Sequence, residues 1–354
     1  MAELLSVADY ERLAEERLEP GPWAYLTGGS GDEWTLRENR AAFERWTFRP
    51  RVLCNVSEVS TATTVLGARV ELPVLVAPVA YQALYDPEGE CATARAAASV
   101  GAGMAVSTFS TRSHEEIAAA APGLTQWCQL YVFRDRGVTR EHLAEAADSG
   151  CNAVVLTVDT PRLARRERDL RVGFEIPSAL PLPYARAAIG DAPQNPADQF
   201  ALLDASVSWR DLEWIADEGG LPLVLKGIVT ADDARLAVEH GAAAVVVSNH
   251  GGRQLDGVPA TLDSLPEVAE AIAGRVEVYL DGGIRRGADV AKALALGARA
   301  VLAGRAPVFG LAAAGEDGVR HVLELLRDEL ALALCLLGCA SPDELTRAHV
   351  QRAS

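Results

Sequence analysis

The segment SNHGGRQLDG, residues 248 to 257, holds the most specific group of reactive side chains in the sequence. It places the imidazole of His250 beside two glycines, with the guanidinium of Arg253 three residues further on. A general base next to a cation that binds a carboxylate can remove a proton or hydride adjacent to that carboxylate. A histidine that only stabilises a turn is the weaker interpretation of this string. The segment therefore predicts acid–base chemistry on an organic acid.

A second charged segment, LTVDTPRLARRERDLR, begins at residue 156. Asp159 is predicted to orient His250 and to stabilise its imidazolium, and Arg166 to form the second half of a carboxylate clamp. The remaining arginines of the segment are interpreted as a solvated face: Arg162, Arg165, Arg168 and Arg171.

Two short glycine motifs follow later in the chain, DGGIRRG at 281 to 287 and LAGR at 302 to 305. Glycines allow a ligand to approach the backbone closely, and Arg285 and Arg305 supply positive charge. Backbone N–H groups at the start of a helix are a common phosphate site. The two motifs together favour a phosphorylated ligand over plain turns.

Short β-branched apolar runs recur along most of the chain, each followed by a helical stretch rich in glycine or alanine. This alternation is typical of a parallel sheet whose strands are buried on both faces. Eight such runs favour a closed (β/α)8 TIM barrel of the α/β class over an open sheet. The runs cover residues 72 to 80, 103 to 109, 125 to 133, 152 to 160, 221 to 228, 242 to 250, 276 to 283 and 299 to 305.

The chemistry of such a barrel sits at the C-terminal ends of its strands. The polar residues that close the runs are therefore candidates for one common site: Gln129, Tyr131, Thr157, Asp159, Lys226, Ser248, His250, Asp281, Gly304 and Arg305.

Lys226 is notable among them because an unpaired buried ammonium group is costly. If the phosphate belongs to flavin mononucleotide (FMN), Lys226 can stabilise negative charge on the reduced flavin ring. Gln129, Thr157 and Ser248 are then predicted to hydrogen-bond the edge of the ring. For each of these residues alone, a structural role at a strand end is the alternative.

The 354-residue chain is interpreted as a single domain covering residues 1 to 354. Residues 1 to 70 are predicted to form an N-terminal helical cap with two helical stretches, and residues 71 to 354 the barrel. The long connection after the fourth strand contains several prolines, and residues 168 to 206 are predicted to form a mobile lid.

The composition of the chain limits the kinds of molecule that it is expected to bind. The net charge of −16 and a pI of about 4.9 make binding to nucleic acid or to an anionic membrane surface unfavourable. The six scattered cysteines form no C-x-x-C pair, which predicts a reduced, cytoplasmic protein with no metal site. Cys335 and Cys339 are interpreted as core residues of one apolar helix without a histidine partner.

With these motifs the sequence resembles the FMN-dependent 2-hydroxy acid oxidase and dehydrogenase family, which includes glycolate, lactate and mandelate oxidases. The resemblance extends from AYLTGGSGDEWTLRENR, at 24 to 40, through QLYVFRD and LVLKG to LAGR, and so covers nearly the whole chain. It implies a TIM barrel, FMN as the cofactor and a homotetramer.

The resemblance also implies roles for individual residues. His250, paired with Asp159, is the base; Arg166 and Arg253 bind the substrate carboxylate; and Tyr25 and Tyr131 complete the substrate site. FMN is expected to contact Pro78, Val79, Ala80, Ser107, Gln129, Thr157, Lys226 and Ser248, with its phosphate at Asp281, Gly282, Gly283, Ile284, Arg285, Gly304 and Arg305.

Two departures from the glycolate oxidase pattern bear on the substrate. Val79 stands where those enzymes commonly have Thr, and Phe109 where they have Trp, while APVAY and STF are similar to hydroxymandelate oxidases of actinobacteria. An aromatic ring would bury apolar surface against Val79, Tyr81 and Phe109. The expected substrate is therefore an aromatic (S)-2-hydroxy acid such as mandelate or 4-hydroxymandelate.

The expected reaction converts this acid to the 2-oxo acid and reduces oxygen to hydrogen peroxide. Oxygen is favoured as acceptor because the lid does not resemble a membrane-binding insertion and no cytochrome-like domain precedes the barrel. The alternatives are a lactate or glycolate oxidase, a dehydrogenase with another acceptor, and another phosphate-binding barrel enzyme. A flavin-binding barrel without turnover is the alternative from a different class.

Overall fold

The computed structural model describes residues 4–185 and 195–353 of the chain. Before the barrel it contains three helices, α1 (Val7–Arg17), α2 (Pro20–Thr27) and α3 (Trp34–Glu44), and three short strands, β1 (Trp46–Phe48), β2 (Thr63–Val65) and β3 (Ala68–Val70). The expectation of two helical stretches in residues 1 to 70 is therefore wrong, because the structure has three. The additional helix, α2, has the sequence PGPWAYLT, whose glycine and two prolines obscure a helical pattern. Proline is nevertheless well suited to the first turn, where no N–H is needed.

Eight parallel strands close into a barrel. They are β4 (Val74–Val76), β5 (Gly103–Val106), β6 (Gln126–Leu130), β7 (Ala153–Thr157), β8 (Leu223–Ile228), β9 (Ala244–Val247), β10 (Glu277–Asp281) and β11 (Ala300–Ala303). Each lies within one of the eight apolar runs, and the predicted TIM barrel is confirmed.

The apolar runs form strands because both of their faces are buried. Inside the barrel, Leu75, Trp127 and Tyr279 pack in one cluster, with the Trp127 and Tyr279 rings 5.3 Å apart between centroids. Side chains of the opposite parity face the surrounding helices. The β2–β3 hairpin contributes Val65 and Val70 to the interior cluster and so closes the N-terminal end of the barrel.

Helices surround the barrel. They are α4 (Glu90–Ser99), α5 (His114–Ala120), α6 (Arg136–Asp148), α7 (Glu167–Val172), α8 (Pro196–Phe200), α9 (Asp211–Gly219), α10 (Ala231–Glu239), α11 (Thr261–Ile272), α12 (Gly287–Ala295) and α13 (Arg305–Leu337). α13 is kinked at Ala314 and Gly315. Beyond it, β12 (Val350–Arg352) pairs with β1. None of the described helices is long and apolar enough to cross a bilayer.

Cys335 and Cys339 do not share one helix, and Cys339 has a histidine neighbour, contrary to the interpretation from the sequence. α13 ends at Leu337, so only Cys335 lies on it, and the Cys339 Sγ is 3.5 Å from His349 Nε2. Gly338, in the left-handed conformation at φ 77°, ends the helix between them.

The predicted lid, 168 to 206, includes most of α7 and all of α8. Its residues 186 to 194 lie outside the described residues. Both the lid and the division into cap and barrel within one domain stay predictions.

Candidate active site

A cavity that is open to solvent lies at the C-terminal ends of the barrel strands. Its lining combines charged, glycine and aromatic positions from the ends of all eight barrel strands and from α2. It includes Tyr25, Pro78, Val79, Ala80, Ser107, Phe109, Gln129, Tyr131, Thr157, Arg166, Lys226, His250, Arg253, Asp281, Gly282, Gly283, Ile284, Arg285, Gly304 and Arg305.

The imidazole in this cavity is held by a carboxylate from another strand. His250 Nδ1 lies 2.9 Å from Asp159 Oδ1, and the backbone N–H of His250 donates to Ser248 Oγ at 3.1 Å. His250 is in the left-handed conformation, with φ 58°, because the chain turns sharply after β9. Since Asp159 accepts the Nδ1 proton, Nε2 is the nitrogen left to act as a base.

Gly227 makes this pair possible. Asp159 follows β7 and His250 follows β9, and β8 lies between them in the barrel. A Cβ on Gly227 of β8 would lie 2.7 Å from Asp159 Cβ and 2.8 Å from its backbone N. Gly227 also adopts φ 120°, beside an irregularity in the β8–β9 register. Only glycine leaves space for Asp159 here.

The protonation states suit a base. Burial lowers the pKa of His250 below its ordinary value, while Asp159 opposes this shift. Burial acts on Asp159 in the opposite sense, but the neighbouring His250 and Lys226 keep the pKa of this carboxyl below its ordinary value. At neutral pH, the pair is therefore a neutral imidazole with an ionised partner.

Two guanidinium groups lie around Tyr25. The Arg253 Cζ is 4.8 Å and the Arg166 Cζ 5.9 Å from the centre of the Tyr25 ring. Arg253 donates to the carbonyls of Tyr25 and Gly28, and Arg166 Nε donates to the carbonyl of Arg253 at 3.3 Å. Burial and the charge of Arg253 lower the pKa of Arg166 to about 10, so Arg166 is still a cation at neutral pH.

Lys226 is fixed by two neighbours. Its Nζ lies 2.9 Å from Asp281 Oδ2 and donates to Ser248 Oγ at 2.9 Å. Burial acts to lower the pKa of Lys226, but Asp281 and Asp159 hold it above its ordinary value. Asp281 Oδ1 is buried without a hydrogen-bond partner among the described residues. The lysine is thus a fixed cation at the bottom of the cavity.

Uncharged polar groups line the wall between β5 and β7. Gln129 Nε2 donates to Thr157 Oγ1 at 3.1 Å, while its Oε1 accepts from the backbone N–H of Thr108. Ser107 Oγ accepts from the N–H of Phe109. These contacts fix the amide and hydroxyl groups that face the cavity.

The far end of the cavity carries Arg285 and Arg305. Arg305 donates to the carbonyls of Leu26, Gly28 and Gly251, and within the described residues it forms no salt bridge. Burial and neighbouring guanidinium groups lower the pKa of Arg305 well below its ordinary value. The half-buried cations of this end therefore favour an anionic ligand.

The backbone at this end also suits a phosphate. Gly304 precedes the first turn of α13, whose N–H groups have no partners within the helix. A Cβ on Gly304 would face Ala77 and Val79 on the cavity wall, and glycine leaves that approach open. The residues present fit the phosphate of FMN.

Most of the predicted site residues meet in this cavity, and two do not line it. Asp159 lies behind His250, and the fully buried Ser248 lies behind Lys226. Tyr81, expected beside the substrate, is also buried behind the wall, where its hydroxyl bonds Gln199. The four arginines interpreted as solvated are exposed: Arg162, Arg165, Arg168 and Arg171.

Some lining residues were not predicted. Phe200, from α8, packs on Phe109 and Tyr131 at 5.4 and 5.5 Å between ring centroids. Its position in the predicted lid was the available signal, but no motif surrounds it. The others are mostly apolar or glycine positions: Leu26, Ala77, Tyr85, Gly251, Leu302 and Ala303.

Comparison with known proteins agrees with this geometry. The family model described as FMN-dependent dehydrogenase matches residues 14–352. The chain belongs to the FMN-dependent dehydrogenase family. This confirms the resemblance drawn from the sequence and the prediction of FMN as cofactor.

Similar members of the FMN-dependent dehydrogenase family come from plants. Glycolate oxidase 3 of Arabidopsis thaliana is 46% identical over 355 residues, covering 99% of this chain and 96% of the relative. Glycolate oxidase of Spinacia oleracea is also 46% identical, covering 98% and 96%. A solved mandelate oxidase with (S)-4-hydroxymandelic acid superposes with a TM-score of 0.95 at 44% identity, covering 99% of both chains.

Proposed function

We propose that this FMN-dependent 2-hydroxy acid oxidase acts on an aromatic (S)-2-hydroxy acid such as mandelate or 4-hydroxymandelate. The observation that carries the proposal is the group of rings formed by Phe109, Tyr131 and Phe200, which line the cavity in mutual contact. Aromatic pairs at these separations contribute beyond their buried area. A substrate ring would extend this cluster.

Arg166 and Arg253 bind the substrate carboxylate. Both are buried or half-buried cations beside Tyr25, and charge-assisted hydrogen bonds to a carboxylate are among the stronger ones in proteins. Burial raises the pKa of Tyr131, so its phenol stays protonated and donates to the carboxylate or to the hydroxyl oxygen. These contacts orient the reacting carbon.

His250 takes the proton from the substrate at Nε2. Asp159, 2.9 Å from Nδ1, keeps this tautomer and stabilises the imidazolium that forms. FMN, when bound, accepts the two electrons that leave the substrate. Lys226, fixed by Asp281 and Ser248, would supply positive charge to the bound flavin and so favour its reduced, anionic form.

The products are a 2-oxo acid and, with oxygen as the proposed electron acceptor, hydrogen peroxide. The names of the similar glycolate and mandelate oxidases support oxygen as the acceptor. Assembly as a homotetramer and a cytoplasmic location stay predictions from the sequence.

A second candidate is oxidation of a short-chain acid such as glycolate. The observation in its favour is the 46% identity to plant glycolate oxidases, against 44% to the mandelate oxidase structure. The two candidates differ only in what fills the space beside Phe109 and Phe200.

The test is a steady-state comparison of (S)-mandelate, (S)-4-hydroxymandelate, (S)-lactate and glycolate, following peroxide release and oxygen uptake. We expect kcat/KM to be highest for the two aromatic acids and peroxide to match the oxygen consumed. A higher kcat/KM for glycolate contradicts the aromatic substrate. Turnover with an artificial dye but not with oxygen contradicts the acceptor.

A further inference from the structure

Three buried side chains with metal-binding atoms meet outside the barrel wall. His114 begins α5, Cys128 lies on β6 and His142 lies on α6, and none of the three lines the described active-site cavity. His114 Nε2 is 3.2 Å from His142 Nε2, and Cys128 Sγ is 3.5 Å from the same nitrogen. All three donor atoms lie within 4.8 Å of one another.

The position of Cys128 follows from the alternation of the strand. Its neighbour Gln129 faces the active-site cavity, so Cys128 faces the helices on the outside. The side chains of His114, Cys128 and His142 are at most 2% exposed. An apolar layer is therefore interrupted by two imidazoles and a thiol at one point.

The separations suit zinc. Zn–N bonds of about 2.0–2.1 Å and Zn–S bonds of about 2.3 Å in a tetrahedron place ligand nitrogens about 3.3 Å apart and nitrogen and sulfur about 3.6 Å apart. The observed 3.2 and 3.5 Å are close to both values.

We propose that His114, Cys128 and His142 form a buried zinc site, separate from the active site. Zinc displaces the thiol proton of Cys128, which is released to solvent, and water takes the remaining tetrahedral position. The metal-free protein holds the same groups as a hydrogen-bonded imidazole pair.

Further side chains contact the proposed zinc ligands and fix their orientation. His114 Nδ1 lies 3.0 Å from the Gln126 side-chain amide, whose Oε1 is buried without a partner among the described residues. A flip of this amide places Oε1 where it accepts the Nδ1 proton that a zinc-bound histidine carries. The ring of Tyr184 stacks on His142, with centroids 4.0 Å apart, and its hydroxyl donates to Glu145 at 3.0 Å. The Glu145 carboxylate offsets part of the charge of the metal.

The proposed site connects α5, β6 and α6 and, through Tyr184, the segment that precedes residue 186. Its role is therefore structural. A bound ion would stabilise the folded protein by mass action.

The test uses the FMN-loaded enzyme without a histidine tag, from cells grown with added zinc. Zinc is measured by elemental analysis relative to FMN, and its ligands by X-ray absorption. We expect close to one zinc per FMN with a sulfur ligand at about 2.3 Å. Zinc far below the FMN content, or a shell of oxygen and nitrogen alone, would overturn the proposal.

Variants complete the test. Cys128→Ser should lose the zinc and retain FMN, whereas the matched control Cys151→Ser should keep both. Cys151 Sγ is 3.5 Å from His114 Nδ1, on the side of the ring away from the site. Equal zinc content in the Cys128→Ser variant and the wild type also overturns the proposal. If Cys128→Ser fails to fold, the wild-type measurement still decides.

Discussion

Asp159 and His250 meet across an intervening strand, with Oδ1 and Nδ1 2.9 Å apart. The contact spans β8, where Gly227 leaves room for the carboxylate. An imidazole at one strand end is thus paired with a carboxylate that follows a strand two places away.

Replacing His250 should slow turnover strongly without removing the cofactor. We expect His250→Asn to lower kcat by roughly 10²- to 10⁴-fold, the usual contribution of a general base. FMN content should be unchanged, and His240→Asn, on the outside of the barrel beside Trp209, is the control. Normal reduction of the flavin by substrate in His250→Asn would exclude His250 as the base.

The pH dependence should report the buried imidazole. His250 acts only when unprotonated, so kcat/KM falls as the pH drops through its pKa. Because burial lowers this pKa, we expect the acidic limb of the kcat/KM profile below about pH 6.5. Asp159 opposes the shift, so Asp159→Asn should move the limb to still lower pH and reduce the rate. A limb above pH 7 in the wild type would contradict this assignment.

Gly227 should matter for catalysis although it touches no substrate. The added methyl group in Gly227→Ala pushes against Asp159. We expect kcat to fall roughly 10²-fold, the usual rate loss when a catalytic group is misplaced. Gly220→Ala is the control because Gly220 also has a positive φ, at 58°, but open space around its Cα. If both variants lose the same activity, backbone strain alone accounts for the effect.

Arg166 should act on the carboxylate specifically. We expect Arg166→Leu to raise KM for a 2-hydroxy acid by about 10- to 100-fold, as for the loss of a charge-assisted hydrogen bond. The corresponding neutral amide should lose much less. The exposed Arg162 provides the control Arg162→Leu. Equal losses for acid and amide would mean that Arg166 supports the fold rather than the carboxylate.

Phe200 should select the side chain of the substrate. Phe200→Ala removes one ring of the aromatic group, and we expect kcat/KM for mandelate to fall by about 10-fold or more, since a pocket contact of this kind contributes about 1–3 kcal/mol. Glycolate turnover should change little. Phe48→Ala, on β1 away from the cavity, is the control. An equal loss for both acids would assign Phe200 to packing alone.

The barrel and most of its site were predictable because both depend on local patterns. Continuous apolar runs mark strands buried on both faces, and the residues that end them share one rim. His250, Lys226 and Arg305 follow from that rule. The glycines and arginines that end the last two strands, which are proposed to hold the FMN phosphate, were found in the sequence for the same reason.

What could not be predicted depends on contacts between distant segments. Phe200 lies on α8, outside any motif, yet lines the cavity. Gly227 is important only because Asp159 lies directly against it. His114 and His142, on two helices, each lie 14 residues from Cys128 on the strand. This spacing is not typical of a zinc site. Only the packing of α5 and α6 on β6 brings them together.

The most direct test of the central claim is reduction of the bound flavin without oxygen. The purified enzyme is mixed anaerobically with (S)-mandelate, (S)-lactate or glycolate, and the loss of flavin absorbance is timed before air is admitted. We expect the fastest bleaching with mandelate and rapid recovery in air with release of peroxide. Faster bleaching with glycolate or lactate would contradict the aromatic substrate, and no bleaching with any of the three would contradict 2-hydroxy acid oxidation itself.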